Sequence, residues 1–152
     1  MEVRRVEPLA GPVDARVPVP GSKSIANRAL VCAALADGDT TLVNLPGGDD
    51  TQAMVACLRE LGVRVENVGD GVTVTGAGPA WPPGERTLFT GLAGTTSRFV
   101  TALAALGTSP VTIDGHPPLR RRPFHPLHEA LAQLDVDVSA GASAGHLPAT
   151  VT

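Results

Sequence analysis

Residues 20–36 decide the fold and read PGSKSIANRALVCAALA. The Gly-Ser turn before Lys23 is typical of a helix start, and the pattern predicts a helix that runs to about Ala36. Beyond Arg28 this helix is apolar on every face, so we expect it to be buried on all sides. Its first turn, in contrast, carries four polar side chains: Lys23, Ser24, Asn27 and Arg28.

The charges in that first turn indicate an anion-binding role. A helix N-terminus presents free backbone N–H groups and a partial positive charge. The cations of Lys23 and Arg28 are unfavourable at the start of a buried helix unless a negatively charged group binds there. Lys23 is also the sole lysine of the chain, beside eleven arginines. Because lysine is a compact point charge and arginine a planar fork, this choice, unless it is chance, indicates a specific role for Lys23.

The same pattern recurs 70 residues later, where Gly94, Thr95, Thr96 and Arg98 open a second alanine- and leucine-rich helix. Further along, five apolar positions match at an offset of 73: Met54, Leu58, Leu61, Val63 and Val65 against Leu127, Leu131, Leu134, Val136 and Val138. A repeat of this length predicts stacked copies of one structural unit. We therefore predict an α/β fold with an N-terminal strand segment at 1–20 and two βαβαββ units at 21–86 and 87–152.

The predicted elements follow from β-branched runs, glycine and proline turns, and helix signals. In the N-terminal segment we expect an edge strand at 16–20. In the first unit we expect the helix already described, a strand at 40–45, a helix from 49 to about 61, and a hairpin at 63–68 and 72–75. In the second unit we expect a strand at 87–90, a helix at 94–106, a strand at 111–114, a helix at 123–134, and strands at 136–139 and 146–151.

Equivalent helices of a repeat point their N-termini in the same direction, so we expect the two cationic helix starts to share one pocket. The run Arg120-Arg121-Arg122 is predicted to add to it, although the run alone favours a solvated basic patch. Arg122 is the strongest of the three because it precedes the Pro123 expected to start a helix. Asp49 and Asp50 are interpreted as an N-cap and first-turn pair, with Asp50 also able to orient Lys23. Such a pocket fits a dianionic or doubly phosphorylated substrate.

Composition and the remaining motifs disfavour several other classes. A net charge of −3, a pI near 5.7 and 3% aromatic residues argue against a nucleic-acid or membrane-surface binder. No apolar run approaches the roughly 20 residues of a membrane span, and no signal-peptide pattern is present, so we expect a cytoplasmic protein. Cys32 and Cys57 are predicted to be reduced core residues. The four histidines show no metal or nucleophile partner, so we expect no metal and no cofactor.

Three ordered motifs resemble those of the 5-enolpyruvylshikimate-3-phosphate (EPSP) synthase family. Residues 20–30, PGSKSIANRAL, resemble its N-terminal signature, residues 92–99, LAGTTSRF, its second signature, and residues 120–123, RRRP, a segment whose arginine before proline touches phosphoenolpyruvate. The resemblance extends to 44–61 and 127–134. It implies the enolpyruvyl transferase fold, an inside-out α/β barrel, with two of the three units of one domain present and residues 1–20 paired to a second domain.

The resemblance also implies an activity and a set of site residues. The family transfers the enolpyruvyl group of phosphoenolpyruvate to the 5-hydroxyl of shikimate 3-phosphate and releases phosphate, on the route to aromatic amino acids. Lys23 matches a lysine that contacts both substrates and is the one catalytic candidate. Ser24 and Arg28 match binders of shikimate 3-phosphate, while Gly94 and Arg122 match binders of phosphoenolpyruvate, with which glyphosate competes. The supporting candidates are Thr95 and Arg98, which match that pocket, together with Asn27 and Asp50.

Departures from the family pattern accompany the resemblance. Leu92 stands where many relatives have asparagine, and Ser97 where many have methionine. The family's third unit, its Ser-Ser-Gln phosphate motif and the second domain with the acid–base residues have no counterpart in the sequence. We therefore expect the first third of a monomeric enzyme, with little or no transferase activity. Three alternatives stay open: a relative of UDP-N-acetylglucosamine enolpyruvyl transferase, which has asparagine where this chain has Ser24, a non-catalytic anion-binding module, and a structural piece without ligands.

Overall fold

The computed structural model describes residues 3–78, 80–141 and 143–152. The first unit contains α1 (Lys23–Leu35), β1 (Asp37–Leu42), α2 (Asp49–Glu60), β2 (Arg64–Val68) and β3 (Gly71–Ala77). The second contains β4 (Arg86–Phe89), α3 (Gly94–Ala104), β5 (Val111–Asp114), α4 (Pro117–Arg120), α5 (His125–Ala132), β6 (Val138–Ala140) and β7 (Ala149–Val151). None of these helices has the length and apolar character that crossing a bilayer requires, a statement that covers the described ranges.

The two units build sheets with matching strand orders. The first sheet is ordered β1-β3-β2 with antiparallel neighbours, and the second is ordered β4-β5-β7-β6, with only the β4–β5 pair parallel. The order β5-β7-β6 therefore repeats β1-β3-β2. A cross-strand hydroxyl pair recurs at the same place, between Thr41 and Thr73 at 3.2 Å and between Thr112 and Thr150 at 2.9 Å. The predicted repeat is thus visible in the pairing of the strands.

The repeat is equally clear where α2 and α5 end. After α2, the Gly62 N–H bonds to the Arg59 carbonyl and the Val63 N–H to the Leu58 carbonyl, both at 2.9 Å, with Gly62 at φ 94°. This pair of bonds is a Schellman motif, which closes a helix through a left-handed residue. After α5, the same two bonds recur 73 residues later, with Asp135 at φ 60° in the position of Gly62. The offset seen in the apolar pattern is therefore an offset of backbone structure.

A single hydrophobic core joins the two units. Helices α1, α2 and α3 contact one another. Helix α1 packs on β3, α2 packs on β2 and β4, and α3 packs on β5. Leu58, Leu88 and Phe124 are completely buried and come from different parts of this cluster. Burial of large apolar side chains is the main stabilising contribution to such a fold. The three helices are therefore held as one packed group, which fixes where their first turns lie.

The predicted edge strand at 16–20 is wrong, because residues 3–20 form neither helix nor strand and are exposed. The second unit explains this. There, the Arg86 N–H donates to the carbonyl of Pro110, directly before β5, at 3.2 Å, and the Thr90 N–H donates to the carbonyl of Asp114, at the end of β5, at 2.8 Å. At the 70-residue offset these positions correspond to Arg16 and Pro20, with Pro18 between them. Proline has no N–H to donate, so this segment cannot pair with β1 as β4 pairs with β5.

The prediction that α1 is buried on all sides is also wrong. Leu30 and Ala34 are completely buried on one face of the helix. On the opposite face, Ile25 is 70% exposed and Cys32 is also exposed. An apolar helix pattern does not reveal which sides meet neighbours, and α1 meets its neighbours on one side. Cys32 is consequently not a core residue. Cys57 is buried as predicted, and its burial, with a smaller contribution from the Glu60 charge, raises the pKa of its thiol to about 12.

Several other element boundaries also differ from the prediction, and two of them reflect the local structure. β1 ends at Leu42 rather than Leu45, because Asn44 adopts a left-handed φ of 54° that an extended strand does not allow. The helix expected to start at Pro123 starts at His125, preceded by the unpredicted α4. The Arg122 N–H closes the turn after α4 by bonding to the Leu119 carbonyl at 2.9 Å. Arg122 therefore lies between two helices and not at a helix N-terminus.

We expect the buried side chain of His128 to make folding sensitive to acid. Its side chain is 8% exposed, and within the described residues its Nε2 atom has no hydrogen-bond partner. Burial, and secondarily the charges of His125 and His146, lower the pKa of His128 below its usual 6.5. The folded state therefore favours neutral His128, and the unfolded state binds protons more readily. This stabilisation is complete above about pH 6.5 and is lost as the pH falls toward the lowered pKa of the folded state.

We expect the free energy of unfolding to decrease between pH 7.5 and pH 5 in the wild type and to decrease less in His128→Leu. Urea unfolding at both pH values measures the two differences. An equal pH dependence in the two proteins would contradict the assignment to His128.

Candidate functional site

The first turns of three helices meet at one cleft of about 550 Å³. α1 contributes Lys23, α2 contributes Asp50, and α3 contributes Gly94 and Thr95. Each helix N-terminus has backbone N–H groups without partners inside the helix, which favour a bound anion. The complete lining, from both units, is Lys23, Arg28, Asp50, Leu92, Gly94, Thr95, Arg98, Phe99 and Arg122.

The cleft collects four cations and one carboxylate. The cations are Lys23, Arg28, Arg98 and Arg122. The carboxylate, Asp50, accepts a hydrogen bond from Lys23 Nζ at 3.1 Å. The Asp50 side chain is 26% exposed and the Lys23 side chain 53% exposed. An ion pair at such exposure contributes little to stability, so its main consequence is to hold the ammonium group at the cleft. The prediction that Asp50 orients Lys23 agrees with this contact, whereas Gly48, and not Asp49, is the N-cap of α2.

Two arginines are held in the same way in the two units. Arg28 Nη1 donates to the Ser24 carbonyl at 2.8 Å, and Arg98 Nη1 donates to the Gly94 carbonyl at 3.1 Å. Each guanidinium also lies over an aromatic ring, Arg28 at 5.3 Å from the Phe99 centroid and Arg98 at 4.5 Å from that of Phe124. A cation over an aromatic face is stabilised by the ring's electron density.

These tethers restrict each guanidinium while leaving other N–H donors for a ligand. Arg98 has a second backbone contact, from Nη2 to the Pro123 carbonyl at 3.0 Å. The planar guanidinium fork binds phosphate and carboxylate with two parallel hydrogen bonds when it is correctly oriented. The cleft can thus hold two anionic groups between pre-oriented cations.

The three arginines of the run 120–122 differ in position, and Arg122 is the one that lines the cleft. Arg120 bonds to both carboxylate oxygens of Asp114, at 2.8 and 2.6 Å, and does not line the cleft. Although burial raises the pKa of Asp114, the hydrogen bonds from Arg120 and the Gly115 N–H, with the Arg120 charge, lower it overall. Arg121 is exposed and also outside the lining, so these two residues agree with the solvated patch that the run alone favours and do not join the cleft. Arg122 reaches the cleft, as expected.

Two predicted site residues lie outside the cleft lining. Ser24 is exposed, and its backbone carbonyl holds Arg28. Asn27 is completely buried and donates from Nδ2 to the Thr96 hydroxyl at 3.2 Å. Sequence reasoning named Leu92 only as a departure from a family pattern and missed the aromatic residues at the site. A signal was available for the latter: Phe99 directly follows Arg98, and Phe124 lies two residues after Arg122.

Glycine at position 94 keeps room for a guanidinium. A Cβ atom there would lie 2.6 Å from Arg122 Nη1 and 3.7 Å from Arg98 Nη1. Since the Arg122 side chain can rotate away, we expect Gly94→Ala to fold, with stability unchanged or raised by up to about 1 kcal/mol because alanine favours helices. Anion affinity should fall by about tenfold because the guanidinium is displaced.

Urea unfolding and a calorimetric titration with phosphoenolpyruvate measure the two effects of Gly94→Ala. The matched control is Gly47→Ala, whose added Cβ would meet no atom within 4 Å. Equal affinities of the two variants for phosphoenolpyruvate would show that Arg122 does not depend on Gly94.

The fold and the cleft define a class: an α/β repeat protein in which helix N-termini from two successive units meet at one cleft lined by cations. The chain belongs to the EPSP synthase (3-phosphoshikimate 1-carboxyvinyltransferase) family, because that family model matches residues 9–152.

Individual relatives agree with the family. The chain is 39% identical to the 3-phosphoshikimate 1-carboxyvinyltransferase of Nostoc sp. over 99% of its own length and 45% identical to that of Rhizobium etli over 95%. It spans 36% and 34% of the length of these two relatives. The EPSP synthase structure from Acinetobacter baumannii superimposes with a TM-score of 0.81 at 25% identity, covering 90% of this chain and 31% of that one. The predicted fold class, a partial enolpyruvyl transferase fold, is confirmed.

Proposed function

We propose that this chain supplies the cationic part of the active site of a 3-phosphoshikimate 1-carboxyvinyltransferase. The reaction transfers the enolpyruvyl group of phosphoenolpyruvate to the 5-hydroxyl of shikimate 3-phosphate and releases phosphate. The observation that carries the proposal is the convergence of Lys23, Arg28, Arg98 and Arg122 with three helix N-termini at one cleft. Both substrates carry a phosphate and a carboxylate, which is the chemistry such a cleft favours.

Within the cleft we assign the substrates to different cations. Arg28, tethered on α1, is assigned to shikimate 3-phosphate, with Ser24 beside it on the same helix. Arg122 and the backbone at Gly94 are assigned to phosphoenolpyruvate, with Arg98 and Thr95 in support. Lys23 is assigned to both substrates, and its bond to Asp50 supports a position from which the ammonium reaches both sides of the cleft.

We further propose that these 152 residues bind the substrates and do not turn them over. Addition of the 5-hydroxyl to the enol phosphate of phosphoenolpyruvate and the later elimination of phosphate both require groups that donate and remove protons. Among the described residues that line the cleft, the one carboxylate is Asp50, and it is engaged by Lys23. A cytoplasmic location and action as a monomer within a longer enzyme are parts of the same proposal.

Calorimetric titration with shikimate 3-phosphate, shikimate and inorganic phosphate tests the binding. We expect shikimate 3-phosphate to bind more tightly than either of the other two, and phosphoenolpyruvate to bind in the same cleft. Equal binding of every phosphate-bearing compound would instead identify a general anion-binding module. Phosphate release from a mixture of both substrates tests turnover, and a rate like that of a complete enzyme would contradict the proposed inactivity.

A further inference from the structure

A buried chain of hydrogen bonds joins the first turns of the three helices. The Thr96 hydroxyl of α3 lies 3.0 Å from the Asp50 carbonyl of α2 and 3.2 Å from Nδ2 of Asn27 on α1. Asn27 and Thr96 are both completely buried. The three residues thus connect all three helices immediately behind the cleft, and Asn27 and Thr96 do not line it.

The direction of these bonds is fixed by chemistry. A carbonyl oxygen can only accept, so the Thr96 hydroxyl donates its one proton to Asp50 and accepts from Asn27. The amide of Asn27 must therefore turn its Nδ2 toward Thr96, which leaves its Oδ1 buried and, within the described residues, without a partner. Leaving a buried carbonyl oxygen unpaired is unfavourable. The unpaired Oδ1 of Asn27 is thus the unfavourable consequence of the hydrogen bond that connects α1 to α3.

The chain closes on itself through Lys23. The carboxylate of Asp50 binds Lys23 at 3.1 Å, while the carbonyl of the same residue accepts from Thr96. Thr96 in turn accepts from Asn27, which lies one helical turn after Lys23 on α1. The loop therefore runs from α1 to α2 to α3 and back to α1. Through this loop, the position of the Lys23 ammonium group is linked to the position of the N–H groups at the start of α3.

We propose that Thr96 is a positioning residue for the anion site: through Asn27 and Asp50 it sets the spacing between Lys23 and the N-terminus of α3. This inference rests on the proposed function, because it concerns the affinity of the same cleft for a phosphate monoester. Thr96 acts without touching the ligand. Its hydroxyl lets the ammonium of one unit and the helix N-terminus of the other bind one substrate together.

Thr96→Val, which removes the hydroxyl and keeps the side-chain shape, tests the proposal. The matched control is Thr101→Val on the same helix, since the Thr101 hydroxyl is equally buried and bonds to the Ser97 carbonyl at 2.7 Å, within α3 alone. We expect both variants to lower the melting temperature. Only Thr96→Val should weaken binding of shikimate 3-phosphate, on the order of tenfold, measured where both variants are fully folded. Thr96→Ser should restore most of the affinity.

The outcomes separate this inference from the proposed function. If the wild type binds shikimate 3-phosphate no more tightly than shikimate, the proposed function fails. If the wild type binds it and Thr96→Val binds equally well, or Thr101→Val loses as much affinity, the positioning role of Thr96 is overturned. Should Thr96→Val not fold at the assay temperature, Thr96→Ala replaces it, with the same affinities deciding.

Discussion

Replacing Lys23 with methionine should reduce the affinity for shikimate 3-phosphate and for phosphoenolpyruvate by about 100-fold, the consequence of losing a charge-assisted hydrogen bond. Methionine keeps most of the side-chain volume and removes the charge. The variant also leaves the Asp50 carboxylate without its cation at the same cleft, so it adds repulsion to the loss of attraction. Stability should change little, because the pair is exposed. Titration calorimetry measures the affinities.

Arg64→Met is the matched control for Lys23→Met. Arg64 is also a cation on the surface, paired with Glu66 at 2.8 Å and 69% exposed, but it lies on β2 outside the cleft. Both variants lower the net charge of the chain by the same amount. If the two lost equal affinity, the effect would come from overall charge and the assignment of Lys23 to the site would be wrong.

Phe124→Ala should destabilise the fold by about 3–5 kcal/mol, the range typical of deleting a buried aromatic ring. Phe124 is completely buried and is the largest such side chain among the described residues. Its ring also lies under the Arg98 guanidinium, so the loss extends from the core to the cleft. Urea unfolding at neutral pH measures the change in the free energy of unfolding.

Two further variants separate the two roles of Phe124. Phe89→Ala removes the same group from a side chain that is 50% exposed and should cost about 1 kcal/mol or less. Phe124→Leu fills most of the space but removes the aromatic face, so it should weaken anion binding more than its modest loss of stability explains. Wild-type affinity in a folded Phe124→Leu would show that Arg98 does not need the ring.

The sequence identified the cleft cations because their positions have a local cause. Lys23 and Gly94 lie in the first turns of α1 and α3, Arg28 lies one turn further along α1, and helix starts are marked by short-range signals. Arg98 followed from the repeat. The 73-residue offset likewise predicted matching units, and the paired Schellman motifs at Gly62 and Asp135 show that it reflects backbone structure.

What the sequence missed depends on contacts between distant residues. The Asn27–Thr96 bond joins positions 69 apart, and no local pattern marks it. Arg120 differs from Arg122 because its guanidinium meets Asp114 at the end of β5, which three adjacent arginines cannot reveal. The exposed face of α1 was missed for the same reason. An apolar pattern indicates that a helix can be buried, but it does not show which faces of the helix contact neighbouring elements.

The lone lysine gives this protein a built-in chemical handle. Apart from the α-amino group, Lys23 is the single primary amine in the 152 residues, and it is half exposed and lines the cleft. An amine-directed reagent that itself carries a phosphate will therefore modify one side chain, and the mass increase reports occupancy directly. A competing ligand that protects this amine lowers the rate of labelling, so the rate measures binding without an engineered tag.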